Sequence, residues 1–141
     1  FRMTNIQAAI GCAQIEKANK FINKKINIFK RYKSNLKNIK FIKMIKLVPK
    51  IKNSHWLSFV IVRDRLTRDK LLSFLNSKGI EARTGFFSAQ EMKIYKSFMN
   101  KKIDYSNSQK ISSTIITLPS SASLNNQEID YICKLIKSFF K

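Results

Sequence analysis

A chain of 141 residues holds one domain with a real core, burying roughly two-thirds of its unfolded surface, and is too short for a second full domain. Hydrophobic residues make up 44%, with only three glycines and two prolines, which excludes a disordered tail; no stretch has the length of a membrane span or the pattern of a signal peptide, so a soluble, cytoplasmic setting is expected. The formal charge of +20, from 28 Lys and Arg against 8 Asp and Glu, would draw phosphates and anionic lipid.

Two observations argue against nucleic acid or membrane as the partner. The lysines recur from Lys17 to Lys141 instead of massing in one block, and they travel with many Asn, Ile and Phe, the residues with the most A- and T-rich codons. Most aromatics also fall at core spacing and do not form the exposed stacking platform that single strands require.

In chain order, Ile6, Ile10, Ala13, Ile22, Phe29 and Tyr32 recur at three- and four-residue steps, predicting one long amphipathic helix from Thr4 to about Asn35, with Thr4 or Asn5 as its N-cap. The Lys-heavy stretch IKFIKMIKLVPKIKNS, ending at Ser54, reads as a loop with weak strand character. HWLSFVIV, His55 to Val62, is a β-branched and aromatic run and predicts a strand. RDRLTRDKLLSFLNSKG predicts a helix capped by Thr67, with Leu71, Leu72 and Leu75 inward and Gly79 as a left-handed stop. IEAR, Ile80 to Arg83, adds a short strand, completing an α/β unit with one helix on a sheet.

Beyond the loop TGFFSAQEM, short helices are expected near Lys93–Phe98 and from Tyr105 to Ser113. TIITLP supplies a third strand closed by Pro119. The last helix carries Ile129, Ile132, Cys133, Ile136 and Phe140 on one stripe behind polar start signals. Cys12 and Cys133 sit in helical patterns without CxxC spacing and read as buried free thiols.

The residues offer little self-contained chemistry. One histidine makes a metal site improbable, and His55 beside Trp56 at a strand entrance reads as structural. Gly11, Gly79 and Gly85 fit no phosphate-loop spacing, and the acidic residues are scattered, with Glu81 and Glu91 separated by an irregular loop. A folded domain without its own chemistry often completes a site belonging to something else.

Four stretches, in order, resemble one family. RMTNIQAAIGCAQIEK (Arg2 to Lys17) is similar to the segment opening the C-terminal part of the DegT/DnrJ/EryC1/StrS sugar aminotransferases, which have the aspartate-aminotransferase fold and use pyridoxal phosphate. NSHWLSFVIV resembles the family's Ser-Tyr-Trp-Leu strand, LLSFLNSKGIEAR its L-x-x-x-G-I-x-x-R unit, and ISSTIITLPSSASLNNQEIDYICKLIKSF its closing Leu-Pro, acidic helix start and Ile-Asp-Tyr-Ile. The resemblance implies the small C-terminal domain of a fold-type I aminotransferase, class α/β (α+β): residues 1–36 as a long linking helix and 37–141 as the domain, with a small, mainly antiparallel sheet flanked by helices.

It also implies a reaction, in which an amino group passes, with glutamate as the expected donor, to a nucleotide-linked keto sugar for surface polysaccharide. The family's Schiff-base lysine, the aspartate at the pyridine nitrogen and most phosphate contacts precede the matching segment. No lysine of this chain is therefore nominated as catalytic, the chain alone is expected to be inactive, and a homodimer is implied. Arg2 holds the arginine of the family's G-x-N-x-R-M turn and is either a contact to the cofactor phosphate or an arginine ordering the dimer interface. Arg83, Phe86 and Phe87 match the family's substrate loop, x-x-R-P-x-F-Y-P-x-H, whereas Thr84, Ser88 and Gln90 depart from its two prolines and histidine. For Arg83 the roles open are a donor carboxylate, the nucleotide phosphates, or an ion pair with a nearby acid; for Phe86 and Phe87, packing or stacking on a ligand. The competing reading is a basic domain binding nucleic acid or anionic membrane.

Overall fold

The structure, a computed structural model, describes residues 2–45, 48–100 and 102–141. It begins with α1 (Asn5–Ile15) and α2 (Ala18–Leu36), followed by strand β1 (Ile42–Met44), β2 (Ser58–Val62) and α3 (Arg65–Ser77). Then come β3 (Arg83–Thr84), two 3-10 turns (Ala89–Glu91 and Lys93–Phe98), α4 (Ser106–Thr114), β4 (Ile115–Leu118) and α5 (Asn126–Phe139). The four strands form one sheet in the order β1-β2-β4-β3, antiparallel throughout.

β2 and β4 form the centre, with Ser58 opposite Leu118 and Val60 opposite Ile116. Their alternate side chains Val60, Val62, Ile116 and Leu118 turn to one face, where they meet Tyr32 and Leu36 of α2, Leu71 and Leu75 of α3, and Ile129, Ile132 and Ile136 of α5. One layer of helices on one face of a sheet is the minimal arrangement that hides both apolar surfaces. Polar ties hold the layers in register. The Tyr32 hydroxyl donates to the Pro119 carbonyl at 3.0 Å, and Arg31 and Asn35 of α2 both donate to Asp130 of α5.

The helix expected from Thr4 to Asn35 is two helices. Thr4 does cap the first, in a capping box with Gln7, but the spiral tightens at Glu16 and Lys17, where the Lys17 N–H donates to the Gln14 carbonyl, three residues back. α2 is amphipathic and buries Ile28, Phe29, Tyr32 and Leu36. α1 buries nothing: Ile6 and Ile10, expected in the core, are 74% and 59% exposed, Ala13 is exposed, and so is Cys12, while Cys133 is buried. The cause is that α1's apolar residues encircle the helix and no charge marks a solvent side, so the three- and four-residue steps do not define a face turned to this core.

Other boundaries shift by a few residues. β2 begins at Ser58, because His55 takes a left-handed φ of 49° and breaks the extended run. Asp64, not Thr67, caps α3: its carboxylate accepts from the Thr67 N–H at 2.7 Å, the stronger acceptor having the better reach. Gly79 ends that turn at φ 76°, as expected. β3 is Arg83–Thr84 and not Ile80–Arg83, since pairing begins only where the chain reaches Thr117 of β4. The Lys93–Phe98 turn is 3-10 rather than α. The Lys-heavy stretch contributes only β1; Lys46 and Leu47 lie outside the described residues.

Candidate functional site

β3 positions the loop that carries the substrate-side residues. Arg83 pairs with Thr117 and Thr84 with Ile116, after which Gly85 passes so close to β4 that its N–H donates to the Ile115 carbonyl at 3.3 Å. A Cβ at Gly85 would stand 2.1 Å from Ile115 Cγ2, so only glycine lets the chain leave the sheet along this line. Phe86 and Phe87 follow, 68% and 73% exposed. Neither ring packs in this domain's core, and both lie open to a ligand or to a neighbouring surface.

The far end of the loop is pinned. Ser88 is buried, its N–H donates to Ser112 Oγ of α4 at 3.1 Å, and both hydroxyls donate to the Glu91 carboxylate, at 2.7 and 3.2 Å. Those bonds, the one from Ser88 first, hold the Glu91 carboxyl below its ordinary range, so it is a charged acceptor at neutral pH. Ser88, the departure from the family's second proline, thus replaces ring rigidity with a hydrogen-bonded anchor.

Arg83 points to solvent and pairs with Glu81, donating from Nε at 3.1 Å. Both side chains are about three-quarters exposed, so the pair is easily exchanged for a stronger anion. Arg2 lies exposed just before Thr4, and no described hydrogen bond or ion pair links it to Arg83, Phe86 or Phe87. The chain alone does not bring the two arginines into one site.

A residue outside the sequence-derived set joins the loop. The ring of Trp56 stacks near Phe86, centroids 6.4 Å apart at 25°, and Trp56 is itself 66% exposed. It is aimed by the turn before β2. The His55 N–H donates to Asn53 Oδ1 at 2.7 Å, His55 adopts its left-handed φ, and its ring stacks at 4.0 Å on Phe29 of α2. Lys25 of α2 donates to the carbonyls of Trp56 and Ser120, fastening this turn to the end of β4. The left-handed conformation of His55 costs about 1–2 kcal/mol, offset by burial of its imidazole, which also lowers its pKa. His55 is buried and packed on α2. Beside it lies a cleft of about 170 Å³ lined by Asn53, Ser54, His55 and Trp56.

The described residues do not by themselves make a pyridoxal phosphate site. Such a site needs a shielded lysine amine, and the one described lysine that is half-buried, Lys25, spends its ammonium on two carbonyls. Among the described residues no group of three His, Cys, Asp or Glu could hold a metal ion, and no helix is long and apolar enough to cross a membrane.

Residues 1–137 match the model of the DegT/DnrJ/EryC1/StrS aminotransferase family. The chain belongs to that family. GDP-perosamine synthase of Escherichia coli O157:H7 is 33% identical over 140 residues, 99% of this chain and 37% of that protein. GDP-perosamine synthase of Vibrio cholerae is 34% identical over 146 residues, again 99% of this chain and 38% of that protein. The Streptococcus pneumoniae protein Spr1654 in its PLP form superposes over 98% of this chain and 36% of its own, with a TM-score of 0.87 at 22% identity, a likeness of fold. The family member described by these residues thus spans just over a third of the length of the relatives it matches. Family members are sugar aminotransferases that use pyridoxal phosphate, and the helical layer on a small antiparallel sheet is shared with them.

Proposed function

We propose that this chain is the C-terminal part of a nucleotide-sugar aminotransferase, supplying the substrate-facing edge of a site whose cofactor lysine lies on a segment outside it. The chemistry that pyridoxal phosphate supplies when bound is an electron sink for moving an amino group, here from glutamate to a keto sugar carried on a nucleotide. This chain's residues bind and orient: Arg83 meets an anionic group of the substrate, Phe86 and Phe87 cover it, and Arg2 reaches the cofactor phosphate of a neighbouring subunit in a homodimer. Residues 1–36 link to the cofactor-binding segment and 37–141 form the small domain, in a cytoplasmic enzyme making amino sugars for surface polysaccharide.

The observation that carries this reading is α1. In a chain of net charge +20, its eleven residues NIQAAIGCAQI contain no charge, and Met3, Ile6, Ile10 and Ile15 are all more than half exposed. A helix that is apolar all round belongs inside a larger body, which supports a cofactor-binding segment and a partner subunit packed against it.

The test compares the chain alone with the chain joined to the cofactor-binding segment of the Escherichia coli relative. With pyridoxal phosphate, the chain alone is expected to show no visible Schiff-base band and no transamination. The joined protein is expected to show both with a nucleotide-linked keto sugar and glutamate. Turnover by the chain alone, or a folded and cofactor-loaded joined protein that transaminates no such sugar, refutes the proposal.

A further inference from the structure

We infer that Trp56, together with Phe86, is the stacking platform for the base of the nucleotide-linked substrate, a role that neither the motif match nor the substrate loop assigns to it. The inference rests on the nucleotide-sugar reading above and adds to it the residue that recognises the nucleotide. The chain contains a single tryptophan, and it spends it on a position that stabilises nothing in the core: the ring is 66% exposed, as is its stacked neighbour Phe86 at 68%. Large aromatic rings are normally worth most when buried. Four contacts fix the backbone turn that carries it: the bond from the His55 N–H to Asn53, the left-handed backbone at His55, the Phe29–His55 stack and the Lys25 tether to the Trp56 carbonyl.

Backbone held in a sparsely populated conformation by its surroundings clusters at binding sites, and here it precedes an exposed aromatic ring. The chemistry of the surroundings narrows the ligand to a planar, weakly polar ring attached to an anion. The platform has two near-parallel rings with open faces, which suits any base because every base has a π face. The cleft of about 170 Å³ at its edge offers the side chains of Asn53 and Ser54, which can both donate to and accept from a base edge. On the loop that carries Phe86, Arg83 stands three residues earlier, its guanidinium paired among the described residues with the exposed Glu81 and exchangeable for a pyrophosphate. A stacking pair, a polar cleft edge and an exposed arginine on the same loop are the three kinds of contact that a nucleoside diphosphate takes.

Because Trp56 is the only tryptophan, its own emission reports the contact. The wild-type chain is titrated with GDP, with dTDP and with inorganic pyrophosphate, followed by tryptophan fluorescence and, for the variant without the ring, by calorimetry. Expected are saturable quenching by the nucleotides, no quenching by pyrophosphate, and binding weakened about tenfold in Phe86→Ala and in Trp56→Leu, the fold-change that loss of one base stack produces. Wild-type emission indifferent to both nucleotides, or Trp56→Leu binding them as tightly as wild type, overturns the inference. In the joined protein described above, Trp56→Leu is expected to raise KM for the nucleotide sugar about tenfold with kcat held. Turnover with an unchanged KM removes the role of Trp56 while leaving the aminotransferase reading intact. Absence of turnover in a folded wild-type joined protein, with nucleotide quenching still present in the chain, removes the reaction and leaves the nucleotide site.

Discussion

Gly85 tests most directly how the site is held. Its backbone is not left-handed; what it lacks is space, since an added Cβ falls 2.1 Å from Ile115 Cγ2, where carbon pairs ordinarily rest at about 3.5–4.0 Å. Neither partner retreats easily. Ile115 is buried and β-branched, with a stiff χ1, and Gly85 moves outward only by losing the bond from its N–H to the Ile115 carbonyl. Gly85→Ala is therefore expected to cost about 1–3 kcal/mol, the range for overpacking a filled site, which in a domain of this size lowers Tm by about 3–10 °C. Thermal melts followed by far-UV circular dichroism read the cost. Emission from Trp56 should change with it, because the displaced loop carries Phe86 away from the indole. The decisive step is a double-mutant cycle with Ile115→Ala, which removes the clashing methyl: in that background Gly85→Ala should cost close to nothing. An equal cost in both backgrounds, or a melt within a degree of wild type with unchanged emission, refutes the steric argument.

Three further outcomes are expected. The Ser58 hydroxyl is fully buried and has no hydrogen-bond partner, while its N–H is satisfied by Ser120, so Ser58→Ala should raise the urea midpoint by the equivalent of about 1 kcal/mol with an unchanged m-value. Asp130 is held below the ordinary carboxylate range chiefly by its bond from Arg31, so the unfolded chain takes up the proton first as pH falls. Its stabilisation is complete above the unfolded value, about pH 4, and disappears as pH drops through the lower folded value; the gap in Tm between wild type and Asp130→Asn should be wide at pH 7 and close in acid. The folded chain alone should react rapidly with one equivalent of a thiol reagent, at exposed Cys12, and with a second only in denaturant, because burial raises the Cys133 pKa to about 11 and hides its sulfur.

Where one element's pattern and its surroundings agree, the chain is legible without coordinates. The stripe Ile129, Ile132, Cys133 and Ile136 is buried as its spacing implies, Leu71 and Leu75 face inward, Gly79 stops its helix with a positive φ, and four ordered motifs indicate the family. Each of these is local, because a 3.6-residue period or a left-handed turn is written in neighbouring residues. α1 shows the limit. Its apolar residues encircle it and define no face, whether they are covered depends on what packs against it, and nothing in this domain does. The same holds for the site. Arg83, Phe86 and Phe87 follow from a motif, yet the tie from Ser112 to Glu91 and the Gly85–Ile115 approach join residues up to thirty positions apart through the register of β3 on β4. Trp56 stands in a motif, but its neighbour does not follow from it: only the fold of the sheet sets it against a phenylalanine thirty residues later. Sequence by itself determined the elements and the family, since propensity and motif are short-range; tertiary structure decided which apolar side chains stay exposed, because exposure is a property of neighbours that the chain meets only after folding.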